Sequence, residues 1–453
     1  MKSAYILHAT CLAILMVFFI AGCCDDDFTL NVDGPGDVPD GGYTILGTYQ
    51  NNILFDNSTD FRGINPEGID TNDTTKSVLE IFTNEDFGFV DFGLDTIFPL
   101  LITEDIPGYE VYTNLPDGMD NPGYPGAFGA TLNPEWNADK TWWQLDPSDV
   151  AYPTTNSAIE IQGNITQNTT WTSNNTYLLK GEIYVKEGIT LTIEAGTLIF
   201  GDKLTSGVLV INRGAKIMAE GTPEEPIVFT SAQPNKSVGD WGGIILCGRS
   251  PNNKGENVTI EGVDEGIIGV DGAYGGNIPD DNSGVMRYVR IEYAGIALTP
   301  GNEINSLTLG SVGAQTQIDH IIVSFAGDDA IEWFGGNVNV SYIATYATLD
   351  DDIDTDQGFS GNLQWGYLVR DPLAADASGS HMFESSSSST AGSQPQTRCV
   401  CANFTLVGAL YNELGGVFDP QFEHCIRADK DAQIEVYNSI LFGAPIGIEN
   451  TQL

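Results

Sequence analysis

Short apolar runs stopped by glycine recur along the second half of the chain, and this recurrence limits the fold more than any other feature. In GEIYVKEGITLTIEAGTLIF (181–200), apolar and polar residues alternate over a few positions before each Gly. The unit apolar-x-x-Gly appears at Val185 to Gly188, Ile193 to Gly196, Ile211 to Gly214 and Met218 to Gly221. Strands this short cannot bury a face alone. They must stack on copies of themselves, as the coils of a β-solenoid do.

A second set of segments gives the period. HIIVSFAGDD (320–329), SYIATYATLD (341–350) and NLQWGYLVRD (362–371) align at an offset of 21 residues. That alignment predicts one column of Phe325, Tyr346 and Tyr367 and another of Asp329, Asp350 and Asp371. YVRIEYAG (288–295) matches HIIVSFAG at an offset of 32, one such coil plus an insertion. The fold class expected is all-β: a parallel β-helix, a solenoid with coils of about 21 residues. Equivalent positions on successive coils then lie about 4.8 Å apart.

The expected organisation has four parts. Residues 1–22 read as a secretion signal, too short to span a membrane. Cys23 follows Ile20-Ala21-Gly22 in a pattern that resembles a bacterial lipobox, so lipidation at Cys23 is expected. Residues 23–42 form an acidic, Gly- and Pro-rich linker. Residues 43–155 are an irregular N-terminal segment with scattered Trp, read as packing on the β-helix of 156–453. Of the seven Cys, Cys247 reads as a buried apolar residue, and Cys399, Cys401 and Cys425 are close enough for one disulfide. No CxxC or clustered His suggests zinc. The four His, at 8, 320, 381 and 424, are isolated in sequence.

Acids outnumber bases 62 to 18, a formal charge of −44. Such a chain repels phosphate, so nucleic acid is excluded as a partner. Membrane contact is expected only through the N-terminal lipid, and a monomer is expected. The segments GTPEEPIVFTSA, WGGIILCG, YGGNIPDDNSGVMRYVRIEYAG, GNEINSLTLGSVG, GDDAIEWFGG and LDDDIDTDQGFSG together resemble large β-helix lipoproteins of Bacteroidetes and marine relatives. The resemblance covers most of 176–450. It implies a right-handed parallel β-helix, anchored by lipid in the outer membrane and facing the cell exterior. It implies no established activity.

Eight carboxylates lie between Asp328 and Asp356. Two unit charges 4.8 Å apart repel by about 1 kcal/mol in water and about 3.5 at an effective dielectric of 20. An exposed column is tolerable, whereas a half-buried one needs protons or a cation. Asp329, Asp350, Asp352, Asp354 and Asp356 are therefore candidate ligands for calcium, which takes oxygen donors. An EF-hand is rejected, because Gly358 comes too late and no Glu holds the twelfth position. The alternative is catalysis. Gly327-Asp328-Asp329 resembles the Gly-Asp-Asp segment of polygalacturonase-type hydrolases, with Asp328 or Asp329 as acid and Asp350 or Asp352 as base. The accompanying elements of that family are out of order or missing. A lyase would need Arg287, Arg290 or Arg370 as base. Trp333 and Trp365 are candidates for stacking on sugar rings. The favoured reading is a coil corner with acids turned to solvent or calcium. The function expected is binding or adhesion to glycan or a surface protein; the runners-up are a calcium-assisted polysaccharide hydrolase or lyase and a structural spacer.

Overall fold

A computed structural model describes residues 47–50, 53–55, 59–62, 89–90, 101–102, 115–124, 126–128, 134–263, 270–299, 302–409 and 417–451. The expected signal, Cys23 and the linker lie outside these residues. Two long parallel sheets run the length of the molecule. One passes from Ile159–Gln162 through Gln317–Ser324, Val340–Tyr346 and Asn362–Val369 to Gln433–Tyr437. The other passes from Glu182–Val185 through Ile331–Phe334, Ile353–Asp356, Ser380–Ser385 and Phe422–Ala428 to Ile446–Asn450. Each coil adds one strand to each sheet, which is a parallel β-helix. Among the described residues, helical structure is limited to two three-residue 3-10 turns.

The alternation in the sequence is the alternation of inward and outward side chains. Ile331, Ile353, Phe383, Ile426 and Ile448 stand in register and are buried in the interior. The register corrects the 21-residue alignment. Ile321 faces Ile343, which faces Gly366, so the offsets here are 22 and then 23. Tyr346 consequently stands beside Ser324 and Val369, and Tyr367 beside Ala344. The 32-residue offset holds, with Val289 opposite Ile321. The extra residue of the second offset lies between Asp356 and Leu363, since Phe334 and Asp356 still stand 22 apart. Tyr288, His320, Tyr342, Trp365 and Asn403 each bend a long strand at φ between 48° and 60° and drop out of the ladder. Left-handed backbone is uncommon for such residues, and nothing in the alternation marks it.

Phe325 and Tyr346 still meet edge to face at 5.5 Å, and the bends form a second aromatic column. His320 stacks on Tyr288 and Tyr342 at 4.2 and 4.3 Å, and Tyr342 stacks on Trp365 at 4.7 Å. The N-terminal segment covers it: Phe128, Trp136, Trp142 and Leu145 pack with Ile322, Tyr342, Ala344, Trp365 and Tyr367 in one buried cluster. Gly47–Gln50, Ile53–Phe55 and Thr59–Arg62 go further and pair in parallel with Gln433–Tyr437, Ile440–Phe442 and Ile446–Asn450. An N-terminal stretch thus lays a further coil on the last C-terminal one and occupies its open edge. Cys247, Cys399, Cys401 and Cys425 are all buried thiols, so the candidate disulfide is not formed.

Candidate cation and glycan site

The site is made by two successive coil corners. After Gln317–Ser324 the chain turns at Phe325 (φ 57°) and runs through Gly327-Asp328-Asp329 into Ile331–Phe334. After Val340–Tyr346 it turns at Ala347 (φ 56°) and runs through Asp350-Asp351-Asp352 into Ile353–Asp356. Gly327 is required by close approach: a Cβ there would meet the Gly295 carbonyl oxygen at 2.4 Å and the Gly239 Cα at 2.8 Å. Stacking is tied by hydrogen bonds. The Asp351 N–H donates to Asp329 Oδ1 at 2.9 Å, and the His381 N–H donates to Asp351 Oδ1 at 2.6 Å. Ser378 Oγ donates to Asp350 Oδ2 at 3.3 Å. Asp329 therefore stacks on Asp351, not on Asp350, and Asp371 caps its own turn through the Leu373 N–H.

The acids are not solvated turns. Asp329, Glu332, Asp351 and Asp352 are buried, and Asp328, Asp350, Asp354 and Asp356 are half-buried. Burial, then repulsion from Asp328, Asp350 and Asp354, holds Asp329 well above the usual carboxylate range. Burial, then Glu261, Asp354, Asp329 and Asp356, does the same to Glu332. Asp328 is pushed to about 8, by burial and then by Asp350, Glu303 and Glu261. Asp350 is pushed to about 7, by burial and then by Asp376 and Glu384. Two groups of oxygens converge within 4.8 Å: Asp328, Asp329 and Asp350, and Asp329, Glu332 and Asp354. Oδ1 of Asp350 and Oδ1 of Asp354 are buried without a hydrogen-bond partner. Hard, convergent, unsatisfied oxygens suit a hard cation such as calcium.

The structure thus brings Asp329, Asp350 and Asp354 of the predicted ligands together and adds Asp328 and Glu332. It removes two. Asp352 is sealed in the interior, 3.5 Å from Arg370, with both side chains fully buried. Asp356 joins neither group and accepts the Gln357 N–H. The catalytic pairing fails on the same geometry. Asp352 cannot reach a substrate, and the Asp328, Asp329 and Asp350 oxygens lie closer than the ~6.5–9.5 Å an inverting pair needs. The candidate bases are committed: Arg287 to Asp319, Arg290 to Glu292 and Arg370 to Asp352. Trp333 is fully buried against Phe359 in the interior, where no sugar can stack on it. Trp365 is 6 % exposed but lines a cleft of about 320 Å³ with Tyr342, Tyr124, Asp120 and Glu135.

Sequence reasoning missed Glu384 and Arg427, which extend the outward column of Glu332 and Asp354 over the next two coils. Arg427 donates to Glu384 at 2.8 Å. The signal was present as S-H-x-F-E-S (380–385) against E-H-x-I-R-A (423–428), 43 residues apart.

A family model, the pectate-lyase-like β-helix domain, matches residues 163–448. The chain belongs to this family. The match spans more than half of the chain and both coil corners of the site. No curated protein and no solved structure matches it.

Proposed function

We propose that the protein is a polysaccharide-binding β-helix, carried on the cell surface by a lipid on Cys23, whose acidic face holds calcium and presents it to glycan. One observation carries the reading. Five crowded carboxylates at stacked corners include two buried oxygens without partners, Asp350 Oδ1 and Asp354 Oδ1. Asp328, Asp329, Asp350, Glu332 and Asp354 would hold the ion. Calcium would neutralise a face that otherwise repels anionic sugars, and its remaining positions would go to water or sugar oxygens. The cleft at Trp365, on the outward face of the other sheet and apart from the acidic corners, would be a separate aromatic wall for a ring. Binding is favoured over β-elimination by the state of Arg427. Its guanidinium is committed to Glu384 at 2.8 Å and Asp429 at 3.2 Å.

The test is affinity electrophoresis of the purified protein through gels containing plant or marine polysaccharides, with calcium and with chelator. Calcium-dependent retardation that is lost in Asp329→Asn supports the reading. Retardation by no polysaccharide would reject glycan binding. Sustained release of reducing ends or unsaturated products would replace binding with catalysis.

A further inference from the structure

The coil stacking also joins the two histidines that the sequence leaves isolated. Ser380–Ser385 and Phe422–Ala428 pair in parallel, with Ser380 opposite Phe422 and His381 opposite His424. Glu423 is the extra residue at this register shift. Such bulges re-aim side chains. Here the Glu423 carboxylate comes within 4.8 Å of both imidazoles. We propose that His381, His424 and Glu423 form a transition-metal site, best suited to zinc, separate from the acidic corners.

The distances fit this ion. Nδ1 of His381 and Nδ1 of His424 are 3.1 Å apart, and Glu423 Oε2 is 3.7 Å from His424 Nδ1. Tetrahedral zinc with bonds of about 2.0–2.1 Å places adjacent ligand atoms roughly 3.3 Å apart. Two Nδ1 lone pairs and a carboxylate form a borderline donor set, which zinc prefers and calcium does not. The surroundings match a metal-bound imidazole. His424 Nε2 lies 2.8 Å from Glu449 Oε2 without hydrogen-bond alignment, and a turn of the ring would give the carboxylate contact that orients a ligating histidine. Both imidazoles are buried, at 1 % and 2 % exposure, whereas the Glu423 side chain is 49 % exposed and marks the way in. Loading puts the remaining His381 proton on Nε2. It would face Glu384 Oε1, now 3.9 Å away, and displace the Arg427 guanidinium from its 3.2 Å contact. Three protein ligands leave a fourth position open, the arrangement of zinc sites that bind water or substrate.

The probe is the metal alone. Full-length protein stripped with chelator is titrated with zinc by calorimetry and with cobalt by visible absorption. One equivalent of zinc is expected, with a tetrahedral cobalt spectrum. His381→Gln and His424→Gln should abolish both. Glu423→Gln lies on the exposed side and should fold normally, yet bind zinc on the order of ten-fold more weakly. Asp329→Asn should bind zinc like the parent, which separates this site from the acidic one. Absence of zinc uptake at tens-of-micromolar levels (a range of the order set by ordinary affinity arithmetic), or unchanged uptake by folded His381→Gln and His424→Gln, would overturn the proposal. If the histidine variants do not fold, unchanged zinc affinity in Glu423→Gln, or a cobalt spectrum that is not tetrahedral, overturns it equally.

Discussion

Over the coils between residues 317 and 428, the outward faces of the two long sheets are built by one rule and have opposite fates. In the sheet containing 317–324, 340–346 and 362–369, the outward positions are Ile322, Ala344 and Tyr367, flanked by the His320, Tyr342 and Trp365 stack. That face is apolar and has captured its own chain: Phe128, Trp136 and Trp142 lie on it, and Trp136 donates its indole N–H to the Ala127 carbonyl at 2.9 Å. In the other sheet the same outward positions hold Glu332, Asp354, Glu384 and Arg427. Apolar surface is satisfied by burial. Stacked carboxylates are satisfied only by protons, bases or metal ions. The coil supplies the geometry, and the residue at one outward position decides whether it binds protein or ions.

Mutations should break this contrast in order of size. The largest effect is expected inside the coil. Asp352→Asn leaves Arg370 buried without its counter-charge, and a loss of about 3–5 kcal/mol is expected in denaturant melts. Trp136→Ala should cost a similar ~3–5 kcal/mol by emptying the covered face, without changing calcium affinity. Next comes pH. Asp328, Asp329, Glu332 and Asp350 have folded values above their unfolded ones. The folded state therefore binds more protons once the unfolded acids ionise, and stability must fall as pH rises from ~4 to ~8. Melting temperature in chelator should follow that slope, and a flat profile would contradict it. Asp329→Asn should raise the chelator melting temperature at pH 8, since it removes a buried charge, the opposite sign to Asp352→Asn. The smallest effect is expected for Lys430→Ala. Lys430 is half-exposed, 3.8 Å from Asp429, and its loss should cost less than about 1 kcal/mol.

How much of this was legible follows from the range of each signal. The β-helix could be read because glycine stops and alternation are local and repeated. Its register could not be read to the residue, because the turn after Asp356 holds one residue more than the turn after Phe334, and no periodicity reveals it. The acidic cluster was visible as composition. Its division was not: Asp352 differs from Asp354 only in pointing at Arg370, and that depends on the corner geometry. Trp333 and Trp365 look alike in sequence, yet one fills the interior and the other lines a cleft. The pairing of 47–62 with 433–450 and the meeting of His381 with His424 are long-range, the latter across an insertion that hides the period.

The central claim is that the acidic corners are built for a hard cation. Its most direct test is the melting temperature of chelator-stripped protein at pH 8, with and without calcium, for the parent and Asp329→Asn. The account predicts that calcium raises the parent by several degrees and leaves Asp329→Asn unchanged. A parent melting temperature indifferent to calcium, or an equal rise in both proteins, would contradict it.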